Sequence, residues 1–402
     1  SLDQARSTRE AVWRQEIRYL ERLQQALVMS PGLPEAHDQL ARWHRMRHTE
    51  AEAAGESEAR IRAETLLAAH DRGAHRDYRI GDGALTLVTE PPGATITLLR
   101  YETVDRLLIA QPVPGPIQTP LHNHPLPLGS YLLLLEHPAC TPVRYPVHIR
   151  RQVHWHGIRP GDAAPAPIHL PPRGSLSDAE AYIPAGWFTR GSDSITNALH
   201  RGELWIDGVI FQRFPVTVAE YQAFQTAISE PLCDGVSDHP VCGITWNDAW
   251  RYCEWFGEQT GLPWRLPGEW EWEKAARGVD GRHFPWGEFG DDSWACTRHS
   301  HPDNIPAPTP VTAFETDVSV YGVRGMAGGV QQWCGDDNIW GSPVVNDIAL
   351  LPDPDSPRRE RLIRGGSWNH YIKHSRSSWR HFHYRDDAKI AVGFRLVRSF
   401  PG

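Results

Sequence analysis

The chain has 402 residues, room for two or three domains that can each bury a core. Its 41 Lys and Arg against 49 Asp and Glu leave a net charge of −8, which argues against a protein built to hold nucleic acid, since that needs a basic face. No apolar run of about 18 residues offers a membrane span. Six Cys without a CxxC fit a reducing compartment, so a cytoplasmic location is expected and the thiols read as small buried hydrophobes. Cys233 and Cys242 form the one pair close enough to bridge across a loop. The sequence starts at Ser1 with neither Met nor a signal-like apolar stretch, which suggests further protein upstream. Most of the 17 Trp fall after residue 180 and predict a large aromatic core there.

Residues 1–75 read as helical. Val12, Ile17, Leu20, Leu23 and Leu27 recur near helical spacing until Ser30-Pro31-Gly32 stops the helix. A second helix starts at Pro34-Glu35, with Ala36, Leu40, Ala41 and Trp43 on its apolar face, and a third spans about Ser57 to His70. The run from Ala26 to Ala41 is similar to a tetratricopeptide helix hairpin, present once. A single such unit cannot bury its own face, so it acts as a spacer or binds a partner.

Residues 80–172 change character. Leu85–Thr89 and Thr95–Leu99 alternate as strands around the turn Glu90-Pro91-Pro92-Gly93-Ala94, and Leu132–Glu136 is a buried strand. The pattern TEPPGATITL followed by PLPLGSYLLLLEHPAC resembles a PEGA domain, a small β-sandwich that carries no chemistry. His122, His124, His137, His154 and His156 lie in or beside it and read as scattered surface residues. Pro165, Pro167, Pro171 and Pro172 predict a stiff linker.

Residues 175–402 contain seven ordered stretches. They are YIPAGWFTRGSD from Tyr182, FQRFPVTVAEYQAF from Phe211, the long run His239–Gly278, FPWG from Phe284, GVRGMAGGVQQWCGD from Gly322, IRGGSW from Ile363 and GFRLV from Gly393. Thr217 and Glu220 form a capping-box pattern. Helices are expected with Ala249, Tyr252, Cys253 and Phe256 on an inner face, and through Trp270, Glu273, Lys274 and Ala275. Together these stretches resemble the formylglycine-generating-enzyme-like (sulfatase-modifying-factor) branch of the C-type lectin fold, which implies an α+β domain with long irregular loops.

The resemblance implies a copper oxidase with two thiols shortly after the Gly365-Gly366-Ser367-Trp368 turn, thiolates being the soft ligands that bind Cu(I). Those positions here are His370 and Ser375, and no Cys follows Cys334. The oxidase function is therefore not carried over, and no catalytic residue, metal or cofactor is assigned. A related branch of the family uses iron and histidines, so His370, His374, His381 and His383 keep a metal-dependent oxidase or oxygenase open as the alternative. The family's calcium-binding Gly-Asn-Val-Trp-Glu-Trp run stands here as Gly328-Gly329-Val330-Gln331-Gln332-Trp333. Gly329 and Gln332 replace two oxygen ligands, and a neutral carbonyl is a poorer calcium ligand than a carboxylate.

The stretch from Asn369 to Val392 also resembles the variable segment of proteins diversified by retroelements. Its frame is Gly365, Gly366, Ser367, Trp368, Arg376, Arg380, Asp386 and Arg395. Between these lie Asn369, His370, Tyr371, Lys373, His374, Trp379, His381, Phe382, His383, Tyr384, Asp387, Lys389, Ile390 and Ala391. Rigid aromatics mixed with adaptable polar groups make a binding surface, as in antibody paratopes. Arg380 is expected to brace the loops through carbonyls or Asp386. Trp379, Tyr371, Phe382 and Tyr384 are expected on one exposed face. The reading is a non-catalytic, ligand-binding C-type lectin fold of α+β class, preceded by a β-sandwich and a helical segment. Its partner is an unidentified protein or other macromolecule held by residues 369–391. The domain order resembles the tails of bacterial serine/threonine kinases, which implies an upstream kinase-type or other effector domain. A purely architectural role is the third reading.

Overall fold

The structure is a computed structural model and describes residues 2–115, 117–338 and 343–400. The chain divides into two compact units, Ser1–Asp82 and Gly83–Gly402. The first holds helices α1 (Leu2–Met29), α2 (Pro34–Ala54), α3 (Ser57–His70) and α4 (Arg76–Ile80). Pro31 and Gly32 fall between α1 and α2, and Pro34 opens α2, where its missing N–H costs nothing. Gly55 ends α2 in the left-handed region, its N–H returning to the carbonyls of Ala51 and Glu52. Ala41, Leu67 and Tyr78 form the buried centre of this unit, where the Tyr78 hydroxyl lies 2.8 Å from Nδ1 of His48.

The second unit begins with a β-rich part. Strands Leu107–Pro112, Thr95–Val104, Gly129–Glu136 and Val143–Ile149 lie in that order in one sheet, all antiparallel. A second sheet orders Leu121–Leu126, Gly83–Leu87 and His154–Trp155. Alternate side chains of these strands face one core, with Leu85, Ile96, Leu133, Leu135 and Val147 fully buried. The expected linker is a correction. Ile168 and His169 pair in parallel with Thr89 and Glu90, and Ile168 and Leu170 are buried, because two apolar side chains among the prolines can still close the sandwich edge.

The C-terminal part packs three helices against three small sheets. Thr217 caps α5 (Val218–Ala227) with a complete capping box, and Thr245 caps α6 (Trp246–Thr260). The third helix is α7 (Glu269–Arg277), buried along its whole length. The inner face expected for α6 buries Ala249, Tyr252 and Cys253 and leaves Phe256 half-buried. Trp205, Trp246, Trp272 and Trp333 are among the largest fully buried side chains, so the tryptophans do build the core. All six cysteines are free thiols, Cys233 and Cys242 included. Among the described residues no helix is long and apolar enough to cross a membrane.

Candidate functional site

The segment after residue 364 is held by a four-stranded sheet, ordered Arg380–Tyr384, Glu360–Arg364, Gln331–Asp337 and Val392–Gly393. Arg380–Tyr384 is its edge strand and pairs antiparallel with Glu360–Arg364, Phe382 opposite Leu362. The turn between them needs its two glycines for different reasons. Gly365 sits at φ +82°, while a Cβ on Gly366 would come within 2.1 Å of the Ser375 Oγ and 2.4 Å of the Ala327 carbonyl. The chain then makes a short 3-10 turn, Ile372–Ser375, before entering the edge strand.

Buried arginines brace this segment from below, with a different division of labour from the one expected. Arg380 pairs with Glu269 rather than with the expected Asp386. Its Nε donates to Glu269 at 2.7 Å and its Nη2 at 3.3 Å. Asp386, exposed, instead accepts from the Asn247 amide at 2.8 Å and from Arg359 at 3.0 Å. Arg364 takes the bracing role. Fully buried, it donates to the carbonyls of Ser377, Ser378 and Trp379 at 3.0, 3.3 and 3.1 Å and pairs with Glu273. Five donors in a planar fork can satisfy several carbonyls at once, which a lysine cannot do. Arg395 does the same one layer deeper, donating to the carbonyls of Gln212, Arg213, Arg324 and Gly325. Ser367 and Trp368 are buried, and Arg376 is half-buried.

Above this frame the candidate residues form two groups. The first is a chain of rings: His370 to His374 at 5.8 Å between centroids, His374 to Trp379 at 4.8 Å and Tyr371 to His374 at 6.3 Å. Tyr371 and Lys373 are exposed, while Asn369, His370, His374 and Trp379 are half-buried. The second is the edge strand, where His381, Phe382 and Tyr384 are exposed and His383 is half-buried against Trp333, 6.3 Å between ring centroids. His381 and His383 lie 5.1 Å apart, as alternate residues on one face of a strand should. Beyond the strand, Asp387 and Lys389 pair at 3.3 Å and Ile390 is exposed. Ala391 is a correction: it is buried and its carbonyl takes the Gln331 N–H, so it belongs to the frame. Trp379 and His383 also sit deeper than a fully displayed side chain would, because each packs a ring against a neighbour.

The donor set does not fit copper held by thiolates. His370 Nδ1 lies 2.6 Å from the Ser367 Oγ, and Ser375 is buried where a second thiol would be needed. Among the described residues no three His, Cys, Asp or Glu side chains are arranged to hold a metal. Burial, and after it neighbouring positive charge, lowers His370 and His374 below the usual imidazole value, and burial lowers His383 to about 4. Gln332 is no free ligand either. Its Oε1 accepts from Trp272 at 2.8 Å and Arg395 at 2.6 Å, and its amide donates to the Gly325 carbonyl at 2.8 Å.

Several contributors escape sequence reasoning. His299 packs on Tyr371 at 5.1 Å, and Arg298 and Lys373 both lie over the same ring. Asn197 accepts the Arg380 N–H on its carbonyl at 2.9 Å, extending the edge of the sheet. A hollow of about 250 Å³ opens there between Thr196, Asn197, Asn338, Leu362 and Phe382. Nothing local marks Thr196, Asn197, Arg298, His299 or Asn338, since they arrive from loops far away in sequence. Arg364 did carry a signal, its place directly before the Gly-Gly turn.

Residues 170–400 match the sequence profile of the FGE-sulfatase family, the sulfatase-modifying factor enzyme 1-like domain. The chain belongs to this family. The FGE-sulfatase domain has the α+β, C-type-lectin-like architecture expected for it. The formylglycine-generating enzyme of Streptomyces coelicolor is 33% identical over 181 residues, 41% of this chain and 54% of that protein. The serine/threonine-protein kinase Pkn1 of Chlamydia trachomatis is 29% identical over 249 residues, 54% of this chain and 38% of the kinase. The chain thus spans about half or less of these relatives' lengths. Among solved structures, Treponema denticola variable protein 1 is similar with a TM-score of 0.45 at 18% identity, covering 55% of this chain and 95% of that one.

Proposed function

We propose that the FGE-sulfatase domain of this chain is a binding module that recognises another macromolecule through residues 369–390, and that it lacks the family's oxidase chemistry. The supporting observation is the combination of exposed Tyr371, Phe382, Tyr384 and Ile390 with a buried arginine frame beneath them. Aromatic anchors on a rigid base bind with little loss of conformational entropy, and substitutions among them leave the base intact. On this reading Asn369, His370, Lys373, His374, Trp379, His381, His383, Asp387 and Lys389 supply the polar and half-buried remainder of the face. The segment's resemblance to the frame of retroelement-diversified proteins supports reading it as a diversified surface. The β-rich and helical parts, 80–172 and 1–75, act as a PEGA-like support and a spacer. The kinase relatives support a place in a larger signalling protein, with this chain as its sensor. The test is comparative capture from the source cell's own lysate and surroundings. Wild-type protein should retain a macromolecule that the folded variant Tyr371→Ala/Phe382→Ala/Tyr384→Ala loses. Equal retention by both would overturn the assignment of the face. A reverse-transcriptase gene beside a near-copy of the segment's coding sequence would separately establish diversification.

A further inference from the structure

Helix α1 carries a largely apolar stripe that its own unit covers only in part. Trp13, Ile17, Leu20, Gln24 and Leu27 follow each other at spacings of 4, 3, 4 and 3, the heptad rhythm of a helix seam. Helix α2 meets α1 near Tyr19, whose hydroxyl donates to Gln39 at 3.2 Å. The stripe therefore splits. Its C-terminal residues Leu20 and Gln24 form one wall of a groove of about 820 Å³, closed by Trp43 and Ala51 of α2 and by Ala63 and Leu66 of α3. Its N-terminal residues Trp13 and Ile17 stand in the open, 61% and 48% exposed. A tryptophan that exposed, one heptad from an open groove lined partly by leucine and alanine, points to one occupant that covers both.

We infer that the occupant is α1 of a second copy, packed antiparallel about a two-fold axis near residues 17 and 20. In that register Ile17 meets Leu20 of the second copy, and Trp13 falls opposite Gln24 of the second copy, at the mouth of the groove. Each tryptophan enters the other copy's groove, whose alanines leave room for a large ring. Charge selects this orientation. The residues flanking the seam are Arg14 and Glu21 on one side and Glu16 on the other. Antiparallel packing places Arg14 of each copy beside Glu21 of the other, and the two-fold axis gives that pair twice. Parallel packing would instead set Glu16 against Glu21 of the other copy, like charges in both pairs. The groove wall is mixed in charge, with Arg47 and Arg62 against Glu50 and Glu58, so it does not repel a helix that itself alternates Arg and Glu.

Sedimentation equilibrium of the full chain tests this. The expected result is a mass twice that of one chain at high concentration, falling to the single-chain mass on dilution. Trp13→Glu/Ile17→Glu should stay at the single-chain mass throughout, with helical circular dichroism unchanged. Glu21→Arg should weaken the dimer about fivefold or more, because two attractions become two repulsions, and Arg14→Glu/Glu21→Arg should restore it. The charge variants change only exposed residues, so they remain informative if the double glutamate variant unfolds. A single-chain mass at every concentration, a dimer that survives Trp13→Glu/Ile17→Glu, or a dimer tightened by Glu21→Arg would each overturn the proposal.

Discussion

Arg364 and Glu273 meet in a fully buried ion pair, and the same guanidinium satisfies three carbonyls of the chain that climbs from Ser377 to Trp379. Removing Arg364 strips Glu273 of one of its two buried arginine partners, Arg277 being the other, and leaves three carbonyls without their donor. Arg364→Met should therefore cost about 3–5 kcal/mol in urea unfolding, far more than the loss of one hydrogen bond. A loss below about 1 kcal/mol would show that the segment does not depend on this brace. The histidines above it set a pH window. His383, its pKa lowered from 6.5 to about 4, is neutral in the fold, so the unfolded chain takes up its proton first as pH falls. Its contribution is intact above 6.5 and is lost as pH drops toward about 4. The urea midpoint should decline across that window, and His383→Gln should flatten the decline. A parallel decline in both proteins would place the acid sensitivity elsewhere.

The edge strand Arg380–Tyr384 and the central strand Gln331–Asp337 differ in what their side chains support. Phe382 and Tyr384 face outward, so replacing either with Ser should shift stability by less than about 0.5 kcal/mol. Trp333 and Phe394 are fully buried, and either to Ala should cost about 3–5 kcal/mol through the cavity left behind. Equal losses in the two groups would argue against a displayed strand. At this scale much was legible in the sequence. Helical periodicity, Pro31-Gly32 and the Thr217–Glu220 box mark element ends because caps and breakers act locally. The candidate segment was legible as well, since the turn Gly365-Gly366 and the strand Gly393-Phe394-Arg395 bracket it. Its bracing was not. Which carboxylate Arg364 and Arg380 each take depends on where Glu269 and Glu273 of α7 stand, about a hundred residues earlier in the chain. Ala391 misled for the same reason: a small residue beside the exposed Ile390 shows its burial only once Gln331 pairs beside it.

Over the whole second unit, the β-rich part is built into the same core as the FGE-sulfatase domain. Leu133 and Val147 share one apolar cluster with Trp333 and Phe394. The hairpin from Thr95 to Pro112 locks onto the C-terminal part, its Leu108 N–H donating to the Trp286 carbonyl at 2.9 Å, while Arg282 lies 4.6 Å over the Tyr101 ring. A shared core should open as a unit. Slow-exchanging amides of Gly129–Glu136 and Gln331–Asp337 should report opening free energies within about 1 kcal/mol of each other. Widely different values would return the β-rich part to the status of a separate bead. The prolines at 165–172 suggested such a bead because proline stiffness is visible in sequence, whereas the pairing of Ile168 with Thr89 is not.

We propose that the family's fold persists here while its chemistry does not. The direct measurement is to load the full chain with Cu(I), remove unbound metal, and incubate it with a cysteine-containing sulfatase peptide under oxygen. The metal is read by elemental analysis and the peptide by aldehyde capture. With His370 and Ser375 where two thiols are required, neither stoichiometric copper nor formylglycine is expected. One copper per chain together with aldehyde in the peptide would contradict it.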